Sequence, residues 1–89
     1  MYALIVFDLS KVAKDYEDAH AVAFQIKNFL DELSHSIELT TGDEKILESA
    51  FLFDVGNGLT NLRHMIANLE RRNVPYKVLF LNDKPNFTT

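Results

Sequence analysis

Residues Tyr2 to Ser10 read YALIVFDLS, and this stretch decides the fold of the chain. Every residue from Tyr2 to Phe7 is apolar, and a short continuous apolar run is typical of a central strand that is buried on both faces. Asp8 follows where the strand ends, and strand ends are held rigidly while the loops beside them stay open. The stretch therefore predicts a central strand, with Asp8 as the first candidate functional residue.

The composition predicts one compact domain over residues 1–89, and we expect it in the cytoplasm. Apolar residues make up 47% of the chain, which argues against disorder. The lack of cysteine excludes a disulfide framework, a thiolate zinc site and a cysteine nucleophile. The apolar run at the start is too short for a signal peptide or a membrane span, so we expect no membrane partner.

The formal net charge is −4, which opposes broad attraction to nucleic acid because such binding normally needs a basic face. Binding of RNA or DNA must therefore be local. Two pairs of cations qualify, Lys11 with Lys14 and Arg71 with Arg72. A solvated loop is the competing interpretation of the lysines. The end of a helix, where the dipole favours cations, explains the arginines without a ligand.

A first helix is predicted to begin near Tyr16, with Asp15 as its N-cap. Its apolar positions recur every three or four residues and so form one stripe. They are Ala19, Val22, Ala23, Ile26, Phe29, Leu30 and Leu33. The alternating sequence IELTT at residues 37–41 predicts a short second strand. Residues 43–48 fit either one helical turn or a polar hairpin whose tip leads into the next strand.

A third strand is predicted at residues 50–55, followed by the breaker Gly56-Asn57-Gly58. A second helix then begins with Thr60 or Asn61 as its cap and ends at Arg71-Arg72. Its apolar face contains Leu59, Leu62, Met65, Ile66 and Leu69. Pro75 closes the connection to a last strand at residues 76–81, and the tail at residues 82–89 is expected to be irregular.

The order strand, helix, strand, strand, helix, strand is the split βαβ, or ferredoxin-like, arrangement. In this α+β fold, βαββαβ, a four-stranded antiparallel sheet carries both helices on one face, with the first and third strands central. The other face is uncovered, yet the first strand is apolar on both faces and the last strand is nearly so. We therefore expect a homodimer, formed by the open sheet faces or by the final strands pairing across a two-fold axis. The alternative is that the tail folds over this face, with Phe87 as its anchor.

The opening MYALIVFDL, with an acid at the end of the first strand and a serine in the loop after it, resembles a known superfamily. Its members are virulence-associated protein D and the small CRISPR-associated adaptation nuclease, which share the ferredoxin-like fold. The segment DLSKVAKDYED at residues 8–18 is similar to the start of short SinR-like members. ESAFLFDV at residues 48–55 occupies the position of their third strand.

The resemblance implies a homodimer in which Asp8 approaches its symmetry mate and holds a divalent metal, Mg²⁺ or Mn²⁺, for hydrolysis of RNA or DNA. Such a hard cation needs only one or two carboxylates together with water and substrate phosphate. Ser10 would position a phosphate or a water, and Lys11 and Lys14 would contact substrate phosphate. The function expected from the resemblance is that of a small, dimeric, ribonuclease-like enzyme.

The competing function is a non-catalytic interaction module, an inhibitor or accessory protein of a mobile element whose acidic surface meets a basic partner protein. The acidic residues are Asp15, Glu17, Asp18, Asp31, Glu32, Asp43, Glu44 and Glu48. Asp54 either joins Asp8 in a site or caps the turn at Gly56, and capping is favoured. The histidines lack metal-ligand spacing and are interpreted as surface residues; they are His20, His35 and His64.

Overall fold

The computed structural model describes residues 1–87. Within that range, four strands, two α-helices and two short 3-10 helices follow one another. In chain order they are β1 (Tyr2–Phe7), a first 3-10 helix (Leu9–Ala13), α1 (Ala19–Ser36), β2 (Glu44–Leu47), β3 (Ala50–Asp54), a second 3-10 helix (Val55–Asn57), α2 (Thr60–Arg71) and β4 (Tyr76–Leu81). Among the described residues, no helix is both long and apolar enough to cross a membrane.

The four strands form one antiparallel sheet in the order β2-β3-β1-β4. β1 and β3 are therefore the central strands, as the sequence predicts. Val6 of β1 stands opposite Ala50 of β3 and Lys77 of β4, which fixes how these strands are aligned. The chain has the expected α+β class, and its antiparallel sheet and two helices are compatible with a ferredoxin-like arrangement.

The apolar core lies between one face of the sheet and both helices. The sheet contributes alternate residues of its central strands, and each helix contributes one stripe. These residues are Ala3, Ile5 and Phe7 from β1, Phe51 and Phe53 from β3, Phe29 and Leu33 from α1, and Leu62, Met65 and Leu69 from α2. The ring of Phe7 lies 6.1 Å from that of Phe29 and 6.3 Å from that of Phe51, within the range of favourable aromatic pairs.

The second strand lies later in the chain than the sequence predicts. Ile37 ends α1 by donating its N–H to the carbonyl of Leu33 (3.0 Å), and its side chain is buried in the core. β2 is formed instead by residues 44–47, which pair with β3. The strand predicted at residues 37–41 is therefore wrong, and the hairpin interpretation of residues 43–48 is confirmed.

Asp43 ties the loop after α1 to the end of β3. Its carboxylate accepts hydrogen bonds from the N–H and hydroxyl of Thr40 (both 2.9 Å), from the N–H of Asp54 (2.8 Å) and from the amide of Asn61 (3.1 Å). Burial acts to raise the pKa of Asp43, but these hydrogen bonds together hold it below its ordinary value. Because two of the donors are distant in sequence, the local alternation at residues 37–41 does not foresee this turn.

The helix starts also differ from the sequence predictions. α1 begins at Ala19, with Asp18 rather than Asp15 at its N-cap, and residues 9–13 form a 3-10 helix where a loop is predicted. Leu59 occupies the N-cap position of α2. The side chain of Asn61, predicted as a possible cap, bonds to the loop after α1 instead. The side chain of Asn61 therefore forms long-range hydrogen bonds and does not cap α2.

The face of the sheet opposite the helices, here called the open face, carries three rows of side chains that strand alternation defines. One row, at the start of β1, contains Leu81, Tyr2 and Asp54. The far row crosses the middle of the sheet, and the Asp8 row lies nearer to the end of β1. The far row contains Leu79, Leu4, Leu52 and Glu44; the Asp8 row contains Lys77, Val6, Ala50 and Leu47.

The tail after β4 crosses the open face at the far row. β4 and β2 are opposite edges of the sheet, about 14 Å apart. Lys84 of the tail nevertheless lies 4.0 Å from Glu44 of β2. Leu52 beneath this path is fully buried, whereas Phe87 is 41% exposed. The tail therefore covers part of the open face, but Phe87 is not the buried anchor that the tail alternative expects.

Replacing Asp43 with asparagine puts an amide donor among groups that are themselves donors. We expect the free energy of unfolding to fall by about 1–3 kcal/mol, the usual cost of leaving a partly buried polar group unsatisfied. Urea unfolding followed by circular dichroism measures the loss. Asp83→Asn, at an exposed tail position, is the control. An unchanged midpoint for Asp43→Asn would contradict the structural role given to this carboxylate.

The same carboxylate makes stability depend on pH. The folded protein has the lower pKa, so the contribution of Asp43 is complete above its ordinary pKa of 3.8. It is lost as the pH falls through the lower folded-state pKa. We therefore expect the wild type to lose more stability in this acidic range than Asp43→Asn, as measured by thermal unfolding at a series of pH values. Parallel losses in the two proteins would contradict this assignment.

Candidate functional site

Asp8 lies at the end of β1 and at the start of the first 3-10 helix. Its backbone is extended (φ −94°, ψ 95°), so the alternation of β1 continues through it and places Asp8 on the same side of the sheet as Val6. Its N–H donates to the carbonyl of Pro75 (3.0 Å), which fixes it beside the start of β4. Asp8 thus occupies the strand-end position that the sequence predicts.

Ser10 holds the Asp8 carboxylate in place. The hydroxyl and the N–H of Ser10 both donate to Oδ1, at 2.6 and 3.1 Å. The hydrogen bond from the Ser10 hydroxyl is the main cause that lowers the pKa of Asp8. Desolvation opposes this lowering of the pKa, and the Ser10 N–H bond and the charge of Lys11 add to it. Among residues 1–87, no donor lies within hydrogen-bond distance of Oδ2. Asp8 is therefore an exposed, ionised carboxylate with one oxygen fixed and the other free.

Two lysines lie near this carboxylate. Lys11 belongs to the first 3-10 helix, and Lys77 of β4 lines a cleft of about 420 Å³ together with Asp8. Within the described part of the chain, no carboxylate lies within ion-pair distance of either ammonium group. Lys14 is exposed at the end of the 3-10 helix. Sequence reasoning missed Lys77, because only the register of β1 with β4 brings it beside Asp8.

An uncovered apolar strip adjoins the Asp8 carboxylate on the open face. It is formed by Leu47, Val6 and Leu79, from strands β2, β1 and β4, with exposed fractions of 65%, 45% and 56%. The tail crosses the far row at Leu52 and leaves Leu79, at the β4 edge of the same row, exposed. Asp8 therefore lies at the edge of the solvent-exposed part of the open face.

Asp54 does not join Asp8 in a site. Because β1 and β3 are antiparallel, Asp54 stands opposite Tyr2, about 20 Å from Asp8 along the sheet. Its Oδ1 accepts a hydrogen bond from the N–H of Gly56 (3.0 Å) at the start of the second 3-10 helix. The capping interpretation of Asp54 is confirmed.

The remaining sequence candidates take part in structural contacts or lie on the surface. Arg71 donates to the side chain of Asn68 (2.6 Å). Arg72 pairs with Glu32 (3.0 Å) and lies over the ring of Phe29, 5.6 Å from its centroid. The three histidines are exposed; they are His20, His35 and His64. These contacts favour the structural interpretation of the arginines.

One chain offers an incomplete metal site. In the residues that the structure covers, no group of three or more His, Cys, Asp or Glu side chains is placed to hold a metal ion. Asp8 still supplies the ligand that Mg²⁺ and Mn²⁺ prefer, an ionised carboxylate oxygen. The donor chemistry therefore fits a hard divalent cation, but the number of ligands requires a further carboxylate or phosphate from outside the chain.

Two substitutions at Asp8 distinguish the stabilising effect of its hydrogen bonds to Ser10 from that of its negative charge. Asp8→Ala removes the acceptor for both hydrogen bonds from Ser10, so we expect the midpoint of unfolding to fall below that of the wild type. Asp8→Asn keeps an oxygen acceptor and should unfold close to the wild type. Chemical denaturation of the three proteins measures both effects. Equal losses in the two variants would show that the charge, and not the cap, stabilises this end of β1.

Comparison with known proteins assigns no family to the chain. No protein-family model matches it, and no match is found among curated proteins or solved structures. The resemblance to virulence-associated protein D and its relatives therefore depends on the sequence motifs alone. What that resemblance implies for function is a proposal, which the geometry around Asp8 has to support.

Proposed function

We propose that this chain is a cytoplasmic, ferredoxin-like βαββαβ protein that acts as a homodimer and hydrolyses phosphodiester bonds of RNA or DNA with a divalent metal, Mg²⁺ or Mn²⁺. One observation carries the proposal: Asp8 is exposed and ionised, its Oδ2 receives no hydrogen bond from residues 1–87, Lys11 lies near enough to lower its pKa, and Lys77 lines the same cleft. The element order and the antiparallel sheet are compatible with the superfamily that the N-terminal sequence resembles.

Asp8 is the metal ligand in this proposal, and Ser10 is its positioning residue. The two hydrogen bonds from Ser10 to Oδ1 restrict the carboxylate to one orientation, so Oδ2 is presented to solvent. The same bonds keep Asp8 ionised, as a metal ligand must be. The hydroxyl of Ser10 is engaged by Asp8, which favours this indirect role over direct contact with substrate.

Lys11 and Lys77 are the proposed phosphate-binding residues. Each provides a point charge that attracts a phosphate without fixing the sequence of the nucleic acid. Lys14 lies farther along and adds general attraction only. A bound Mg²⁺ or Mn²⁺ would supply Lewis-acid stabilisation of the phosphoryl oxygens and a more acidic bound water. Such a cation is held by one or two carboxylates together with water and substrate phosphate, and in this proposal Asp8 of a partner copy would supply the second carboxylate.

A non-catalytic interaction module is the second candidate, and the capping role of Asp8 favours it. The bonds from Ser10 give Asp8 a structural purpose that needs no substrate. Asp15, Glu17 and Asp18 are exposed in the segment before α1, so an acidic surface is available to a basic partner protein. In this function the chain would be an inhibitor or accessory protein, and its activity would not depend on a metal.

Cleavage of labelled single-stranded RNA and duplex DNA in the presence of Mg²⁺ or Mn²⁺ tests the enzyme proposal. Asp8→Asn keeps the cap and removes the anionic ligand, so we expect cleavage to fall to background. Asp54→Asn is the matched control, because it alters the same kind of strand-end cap at the other end of the sheet. It should cleave like the wild type. Ser10→Ala should lose about 10–100-fold, as is typical for residues that orient a metal ligand.

The opposite results would have a clear meaning. Equal cleavage by the wild type and Asp8→Asn would remove Asp8 from the site. The lack of metal-dependent cleavage by folded, dimeric wild-type protein would overturn the enzyme proposal and leave the interaction module.

A further inference from the structure

The turn Gly56-Asn57-Gly58 after β3 takes no part in the candidate site. Asn57 is exposed, and the residue that follows it is a glycine. We infer that Asn57 is a site of spontaneous deamidation, that the closed turn protects it, and that the deamidated turn cannot close again. The inference does not depend on the proposed function, because Asp54 at the start of this turn lies about 20 Å from Asp8 along the sheet.

Deamidation of an asparagine needs only its own chain and water. The backbone nitrogen of the following residue attacks the carbonyl carbon of the asparagine side chain. The new N–C bond closes a succinimide ring, the C–N bond to the amide nitrogen breaks, and ammonia leaves with the proton of the attacking nitrogen. Water then opens the ring at either of its carbonyl groups, which gives aspartate or isoaspartate.

Gly58 makes Asn57 the most reactive asparagine of the unfolded chain. A glycine has no Cβ to hinder the attack of its own nitrogen. The space beside Gly58 is open, since no described residue other than its chain neighbours lies within 4 Å of the point where a Cβ would stand. The other asparagines all precede larger residues; they are Asn28, Asn61, Asn68, Asn73, Asn82 and Asn86.

The closed turn engages both reacting groups in hydrogen bonds. The N–H of Gly58 donates to the carbonyl of Val55 (3.1 Å). Nδ2 of Asn57 donates to the carbonyl of Thr41 (3.2 Å) and to Oδ2 of Asp54 (3.4 Å). The succinimide keeps neither the proton of Gly58 nor the amide nitrogen of Asn57, so ring closure removes all three hydrogen bonds. Deamidation is therefore slow while the turn is closed.

The product of the reaction cannot restore these contacts. An aspartate at position 57 has only carboxylate oxygens where Nδ2 of Asn57 donated, and the carbonyl of Thr41 and the carboxylate of Asp54 are acceptors as well. The two carboxylates also repel each other. Isoaspartate in addition lengthens the main chain between Val55 and Gly58. Either product therefore keeps the turn open.

The contact that deamidation removes is one of two that hold the turn of residues 40–43 against the end of β3. Asp43 provides the first, by accepting the N–H of Asp54 (2.8 Å). Asn57 provides the second, through the carbonyl of Thr41. A copy of the protein that has opened and deamidated is therefore permanently less stable than a newly made copy.

Peptide mapping by mass spectrometry after incubation in mildly alkaline buffer, with and without guanidinium chloride, tests the protection. In the denaturant we expect Asn57 to convert to aspartate and isoaspartate. Asn73, which is exposed and precedes a valine, is the internal control and should convert far more slowly. In the folded protein, conversion of Asn57 should be at least about tenfold slower than in the denaturant, as the loss of these hydrogen bonds implies.

Three results of this incubation would overturn the inference. Equal rates at Asn57 in the folded and unfolded protein would show that the closed turn gives no protection. No conversion of Asn57 in the denaturant, or conversion of Asn73 at the same rate, would show that Asn57 is not a preferred site.

Asn57→Asp reproduces one product directly and tests its effect on the turn. We expect its midpoint of urea unfolding to lie below that of the wild type. Asn82→Asp adds the same charge at an exposed position of the tail and should unfold like the wild type. In an Asp54→Asn background, Asn57→Asp should lower the midpoint less, because the repulsion between the two carboxylates is gone. An unchanged midpoint for Asn57→Asp, or the same loss in both backgrounds, would contradict the inferred effect of deamidation.

Discussion

The structure depends on one constraint: β1 is apolar on both faces, and the two helices cover only one of them. Ala3, Ile5 and Phe7 lie in the core beneath α1 and α2, which leaves the alternate residues on the open face. The tail crosses the far row of that face, but Val6 stays exposed. We propose a dimer because part of this apolar face remains exposed to solvent. The partner copy would lie at the end of the sheet that carries Asp8.

The cap and the proposed metal contact of Asp8 would use different carboxylate oxygens. Oδ1 of Asp8 accepts both hydrogen bonds from Ser10, and Oδ2 receives none from residues 1–87. Asp54 has the same capping geometry at the end of β3, but its Oδ2 receives the amide of Asn57 (3.4 Å) and lies against Gly42. The two aspartates stand at similar strand ends in the sequence. They differ because Oδ2 accepts a hydrogen bond in Asp54, whereas no described residue donates to Oδ2 of Asp8. The cap on Oδ1 of Asp8 favours the interaction module, whereas the lack of a hydrogen-bond donor to Oδ2 among residues 1–87 favours the enzyme.

Sequence patterns predict β1, β4, both helices and the central position of β1 and β3, because each is encoded in a local apolar pattern. They place β2 wrongly, since its position depends on the hydrogen bonds of Asp43 with residues far along the chain. At the candidate site, Asp8, Ser10 and Lys11 lie close together in the sequence, so the sequence alone predicts that they meet. Lys77 reaches the site only through strand register, and the course of the tail depends on a contact between opposite edges of the sheet.

The central claim is that the site belongs to two chains and not to one. The stoichiometry of Mn²⁺ binding, measured by electron paramagnetic resonance at protein concentrations that favour the dimer, tests this claim most directly. The account predicts one bound Mn²⁺ for every two chains in the wild type and none at this site in Asp8→Asn. One Mn²⁺ per chain, or binding that survives in Asp8→Asn, would contradict it.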